Sequence, residues 1–230
     1  YIELYGTFDY FTSYRIISKG KDRSEFVILN PPNIPFEMTT KTIVLHDDKE
    51  ISKGWSLNRQ VIKSQDVEIQ FNENSNNNTL LCTIKPLGEK PLLNNINIHV
   101  VSALSFMLST SLHPIYHYTS TPDFEIVHLS GLLTSDWKSG LPLPLNPTTI
   151  EDDKNLWELF TAYFDYLMRQ SSSIAEFHPI SLEYSKVIQA SRGSLEGFAL
   201  ALSVSIEALL KICIRTNSKE NIPKKEDIKE

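Results

Sequence analysis

Two cysteines and eight glycines are few for a chain of 230 residues, and each scarcity removes a class of protein. Cys82 and Cys213 lie far apart in apolar surroundings. Two such thiols build neither a disulfide framework nor the clustered ligand spacing of a zinc site, and a reducing compartment is expected. No glycine-rich phosphate loop is present, and no Gly-x-Ser-x-Gly elbow, so the common nucleotide-loop and serine-hydrolase signatures are missing. Long apolar runs are missing too. The most hydrophobic stretch, Ser191 to Ile214, carries Ser203, Ser205 and Glu207 in its middle and makes a poor membrane span. No signal-type or transit-type segment is visible, and the cytoplasm is the expected location. A net charge of −6 argues against a surface that coats nucleic acid throughout, while leaving room for a local basic groove.

What is present reads as an α+β protein. Hydrophobic residues make up 41% and charged residues 22% of the chain, the balance of an ordinary globular protein. The first half is punctuated like a set of strands. Tyr1 to Phe11 alternates and is rich in aromatics; Glu25 to Leu29 ends at Asn30-Pro31-Pro32; Thr42 to Leu45 ends at His46-Asp47-Asp48. In Gln65 to Phe71, alternation puts Val67, Ile69 and Phe71 on one face. The Asn-rich run over 72–78 then predicts a hairpin into Leu80 to Ile84. From Asn94, with Asn94 or Asn95 as cap, Ile96, Val100, Ala103, Leu104 and Met107 predict a helix that His113-Pro114 stops. Two further strands are expected over 115–118 and 124–129.

The organisation this implies is a β-rich unit with one helix over 1–140, a Pro-rich connector over 141–150, a helical unit over 151–216 and a charged tail over 217–230. The segment Gly140 to Pro147 has linker chemistry. Acids at 151–153 suit a helix start, and Leu156, Leu159, Phe160, Tyr163, Phe164 and Leu167 form its buried stripe. Ser171 to Ser173 marks its end, and a second helix follows His178-Pro179. The last helix is predicted to be the spine of the unit. Its apolar residues cover most of its circumference, which places it in the middle of a core. The chain opens on Tyr1 in a strand-like run and closes on charged residues, so it is expected to be part of a longer protein.

Candidate chemistry is sparse. The six histidines include His113 and His117, four apart, but Pro114 stands between them and no His-Glu-x-x-His occurs, so neither metal nor cofactor is expected. His46 beside two aspartates reads first as a solvated turn. An unrelated enzyme would need His46, His117 and His128 to converge in one pocket. The aromatic start of the chain, beside Arg15, Lys19, Lys21 and Arg23, offers a second possibility, bases stacked on rings with phosphates held by cations.

The string GFALALSVSIEALLK at 197–211 resembles the second main helix of HEPN domains, all-helical domains of prokaryotic RNA-cleaving toxins and defence proteins. Its Ala-Leu-x-x-x-Ile-Glu-Ala-Leu-Leu form is most similar to the ApeA-like branch. ALSFMLSTSLHPIYHY at 103–118 is similar to a helix-then-strand segment of the N-terminal domains attached to such domains. The resemblance implies an antiviral defence protein whose complete HEPN domain is a metal-independent endoribonuclease, active as a homodimer, with the β-rich unit as sensor or regulator. The family's Arg–polar–His motif, in which Arg steadies the phosphate charge and His exchanges protons, is absent from this chain. The resemblance therefore assigns no catalytic residue. Glu207 is left as a possible supporting group, and Arg192 and Lys211 as possible RNA contacts. The alternative is a non-catalytic module that binds a ligand or protein and dimerises.

Overall fold

The computed structural model describes residues 10–17, 20–36, 39–45, 49–56, 58–74, 76–93, 96–130, 141, 150–170 and 178–220. The fold is α+β, as the sequence predicts: strands dominate the first half, and helices follow. In chain order the elements are β1 (Tyr10–Ile16), β2 (Arg23–Leu29), β3 (Thr39–Leu45), β4 (Lys49–Ser56), β5 (Arg59–Ser64), β6 (Val67–Asn74) and β7 (Thr79–Pro86). Then come α1 (Ile96–Met107), β8 (Tyr116–Ser120), β9 (Phe124–Ser130), α2 (Ile150–Gln170), α3 (Pro179–Ala190) and α4 (Leu195–Glu220). Seven strands form one antiparallel sheet in the order β1-β9-β8-β2-β7-β6-β5, and β3 and β4 pair apart from it.

Alternation fixes which side of the sheet is buried. Phe26 and Ile28 of β2, Ile69 and Phe71 of β6, and Leu80, Cys82 and Ile84 of β7 are fully buried and point to one face. Above them lie Val100, Ala103, Leu104 and Met107 of α1 and Leu156, Phe160 and Phe164 of α2, all fully buried as well. The Asn-rich hairpin forms as expected. Asn30 and Asn78 both adopt left-handed backbone (φ 46° and 47°), which asparagine tolerates. Asn78 donates its side-chain N–H to Asn30 Oδ1 at 2.8 Å, tying two neighbouring turns together.

Several expectations need correction. The strand predicted at Tyr1 to Phe11 is described only from Tyr10 and continues to Ile16; residues 1–9, the Asn94/Asn95 cap, 142–149 of the connector, Ser171 to Ser173 and the tail beyond Glu220 lie outside the described residues. Strands β4 and β5 were not legible. Helix α1 ends well before His113-Pro114, because Ser109 turns left-handed (φ 48°). Thr110 N–H then donates to Ser105 O and Ser109 N–H to Phe106 O, the paired bonds of a Schellman cap. Between α3 and α4 the chain breaks at 191–194, and Ser194 Oγ accepts the N–H of Gly197 to start α4 afresh.

The largest correction concerns α4. It is not the core helix. Its Phe198, Ala201, Ser205, Ala208, Leu209 and Ile212 are half-buried or buried, and the helix it packs against is α3. The stripe Leu195, Ala199, Leu202, Ile206 and Leu210 is exposed, with Leu195 78% and Leu210 58% accessible. The sheet's inner face is covered by α1 and α2 instead, and this leaves no room on it for α4. The connector likewise does not separate two cores: α2 contributes Leu156, Trp157, Phe160 and Phe164 to the same hydrophobic cluster as the sheet.

Phe160→Ala removes a fully buried ring at this junction and should cost about 3–5 kcal/mol. Chemical denaturation followed by tryptophan fluorescence and far-UV circular dichroism should show one coincident, shifted transition. Separate transitions for the sheet and α2 would contradict the shared core.

Candidate functional site

The sheet face turned away from α1 and α2 is only half-buried, and its side chains fall into cross-strand rows. Arg15 of β1 stands opposite Glu125 of β9, Glu125 opposite Ser120 of β8, and Ser120 opposite Arg23 of β2. Ser24 pairs with Ile84, which puts Lys85 of β7 next in the same row. The row above runs through Val127, Tyr118, Glu25 and Thr83. Arg15, Arg23, Lys85, Tyr118, Ser120 and Glu125, with Lys21 from the β1–β2 loop, line a groove of about 1320 Å³.

Its wall is held by backbone. Ile17 N–H donates to Asp123 O at 2.9 Å, and Gly20 N–H to Pro122 O at 3.1 Å, lacing the β1–β2 loop to the β8–β9 turn. A Cβ on Gly20 would stand 1.9 Å from the carbonyl oxygen of Thr121, so only glycine fits there. Beside the groove, Glu25 accepts from the Arg23 guanidinium and from Thr83 Oγ1, the latter at 2.9 Å. Tyr118 donates its hydroxyl to Glu125 Oε1 at 2.9 Å; burial first, and the neighbouring Glu125 with it, push the phenol up from its usual range. Arg15, Lys21 and Lys85 are exposed and have no hydrogen-bonding or ion-pair partner among the described residues. The sequence singles out Arg15, Lys21 and Arg23, and the structure brings all three to one groove. Lys19 lies outside the described residues. Lys85, Tyr118, Ser120 and Glu125 were missed, because only the strand order β1-β9-β8-β2-β7 makes them neighbours.

The opposite face carries a histidine pair. His117 and His128 are cross-strand partners with ring centroids 6.2 Å apart, and Thr12 Oγ1 lies 2.8 Å from His128 Nδ1. Burial against neighbours that include Phe26, reinforced by the positive potential of His128, pulls the His117 imidazole down to about 4. His117 is therefore neutral at pH 7. His46 and its two aspartates lie outside the described residues. Elsewhere His178 caps α3 by accepting the Ile180 N–H at Nδ1, 3.2 Å away. Among the described residues no group of three or more His, Cys, Asp or Glu is placed to hold a metal ion.

Of the three residues picked out in the helical part, Glu207 and Lys211 meet each other and Arg192 stands apart from them. Glu207 is exposed and accepts a 2.6 Å hydrogen bond from Lys211 one turn on; that bond holds its carboxyl below the usual range. Arg192 is exposed in the break before α4. Leu195 to Lys211 spans about 24 Å of helix at 1.5 Å per residue, so Arg192 and Lys211 cannot meet one phosphate.

The His117 environment gives a pH test. Its imidazole binds a proton more weakly in the folded chain than in the unfolded one, where the ordinary value is 6.5. Its contribution to stability is therefore complete above that value and is lost as pH falls from about 6.5 towards 4. Urea denaturation between pH 7 and pH 4 should show this decline, and His117→Gln should flatten it. An unchanged slope would mean that His117 titrates normally.

No family model matches the chain, and neither a curated protein nor a solved structure matches it.

Proposed function

We propose that the chain is the sensing and assembly part of a prokaryotic defence protein of the ApeA-like HEPN type, cytoplasmic and, in its complete form, a metal-independent endoribonuclease. The observation that carries this reading is the open side of α4. A helix of 26 residues that packs on α3 and leaves Leu195, Leu202, Ile206 and Leu210 in water is built to be covered. The resembling nucleases work as pairs, with Arg/His groups facing across a subunit interface. An apolar stripe on the helix that carries the resemblance is what such a pair needs. Glu207 stands beside the stripe, exposed, where it would border the interface. The half-open sheet face is then the sensor. No helix among the described residues is long and apolar enough to cross a membrane; the stripe is assigned to a second copy of the chain because the resembling nucleases pair.

One observation favours the alternative, a non-catalytic binding and dimerisation module. Glu207 is already engaged by Lys211 and needs no catalytic group to satisfy it.

Two measurements separate these. In sedimentation velocity the protein should run as a dimer, and Leu202→Glu with Leu210→Glu should weaken self-association about a hundredfold or more without unfolding, since each charged side chain replaces roughly 1.5 kcal/mol or more of apolar burial. A monomeric wild type would remove the assembly role. RNA cleavage by the native protein, with its reading frame followed past Glu230, should persist in EDTA and vanish when the His of a downstream Arg–polar–His is changed to Ala. A native protein without that motif or activity leaves the binding module.

A further inference from the structure

We propose that the groove across β1, β9, β8 and β2 binds a small ligand carrying two or more phosphate groups; the proposal rests on the reading of the β-rich part as a sensor and gives that sensor its ligand class. Three cations, Arg15, Lys21 and Lys85, line the groove without a partner among the described residues. A chain of net charge −6 has acids in excess, and Glu125 and Glu68 stand across the strands from Arg15 and Lys85, yet no described acid makes an ion pair with the three cations. Cations that converge on one concavity raise the local potential, which an anion relieves.

The spacing selects the kind of anion. Arg15 and Lys85 lie in one cross-strand row, four strand spacings apart, or about 19 Å between backbones at roughly 4.8 Å per strand. A ligand with two or more phosphate groups offers more than one anion to the cations along that row, which a single phosphate does not. Arg23 sits between them with its guanidinium oriented by Glu25, and a fixed planar fork suits two phosphate oxygens at once.

The same row argues against a long nucleic-acid strand. Glu125 stands within it and Asp22 on its rim, and a continuous polyanion tracking the groove would pass directly over both. A compact ligand places its phosphates on the cations and its hydroxyl or amino groups on the carboxylates. Tyr118 and Pro86 supply an aromatic and an apolar flank against which a base could lie. Gly20 lets the loop backbone lie against the Thr121 carbonyl, and the bonds from Ile17 and Gly20 to the β8–β9 turn hold that wall in place; a site ordered before binding loses less entropy.

Nucleoside polyphosphates and inorganic polyphosphates share this chemistry, and calorimetric titration with ATP and with pyrophosphate at about 0.15 M salt, where long-range attraction is screened, distinguishes them. Both should bind the wild-type chain, or ATP alone should. ATP tighter by tenfold or more assigns a nucleoside subsite at Tyr118; equal affinities assign the site to the phosphates. Arg15→Ala with Lys85→Ala should weaken binding about a hundredfold, roughly tenfold for each charge-assisted contact. Both residues are exposed, so folding is spared. Lys154→Ala on α2, remote from the groove and paired with Glu158, should change nothing. Absence of binding to both probes, binding indifferent to the double substitution, or binding of a single-stranded RNA decamer that neither probe displaces would each overturn the proposal. The double variant should keep wild-type sedimentation, so failure here is distinguishable from failure of the assembly role.

Discussion

Phe71 at the centre of β6 lies under two rings of α2, with Trp157 at 5.3 Å and Phe160 edge-on at 5.6 Å. Phe36 adds a third contact to the Trp157 ring at 6.3 Å, and the indole N–H donates to the carbonyl of Pro35 at 2.6 Å. Such aromatic contacts add to the burial they accompany, and here they decide which face of the sheet is inside. Once α1 and α2 occupy that face, the other remains for the cross-strand row of charges. The remaining helices must then pack at the side. Tyr184 of α3 reaches α1 through Phe106, with ring centroids 4.9 Å apart, and through Ser109 Oγ at 3.1 Å. Helix α4 is held in turn by α3.

The unusual exposure of α4 follows from this order of attachment. A helix can be apolar on two sides and still have only one neighbour. Ser205 is the point of closest approach: it is 3% accessible and donates to Glu183 Oε2 at 3.1 Å. The turns on either side of it present leucine, isoleucine and valine to water. That is a large apolar surface for a monomer, and it is continuous along the helix axis rather than scattered.

The sequence is a good guide to elements here and a poor one to their neighbours. Alternation at Val67, Ile69 and Phe71 correctly predicts the buried side of β6, and three-to-four spacing correctly predicts α1 and the stripe of α2. Periodicity describes a face without saying what covers it, and for that reason α4 looked like a core helix. Trp157 was passed over because it stands one residue off the stripe led by Leu156, yet it is almost fully buried. Strand β4 offers only Ile51 and Trp55 among polar residues, too little alternation to recognise. The groove was half legible. Arg15, Lys21 and Arg23 are close in sequence and stay close in space, while Lys85, Tyr118 and Glu125 join them through pairings more than 60 residues apart in the chain. No local pattern encodes such a pairing.

The groove and α4 lie at opposite ends of one series of contacts. Behind Arg23, Ser24 turns inward and donates to Asn97 Oδ1 of α1 at 2.8 Å, both side chains buried. The far end of α1 holds Tyr184 of α3, and Glu183 beside it holds Ser205 of α4. Contiguity is a geometric condition for coupling and does not supply it; coupling requires an element with two arrangements that both sites bias. The break over 191–194, between α3 and α4, is spanned by neither helix nor strand, so a change in the angle of α4 would be absorbed there. If occupancy of the groove shifts that angle, linkage makes the effect mutual: a ligand that favours the paired form binds the paired form more tightly by the same factor.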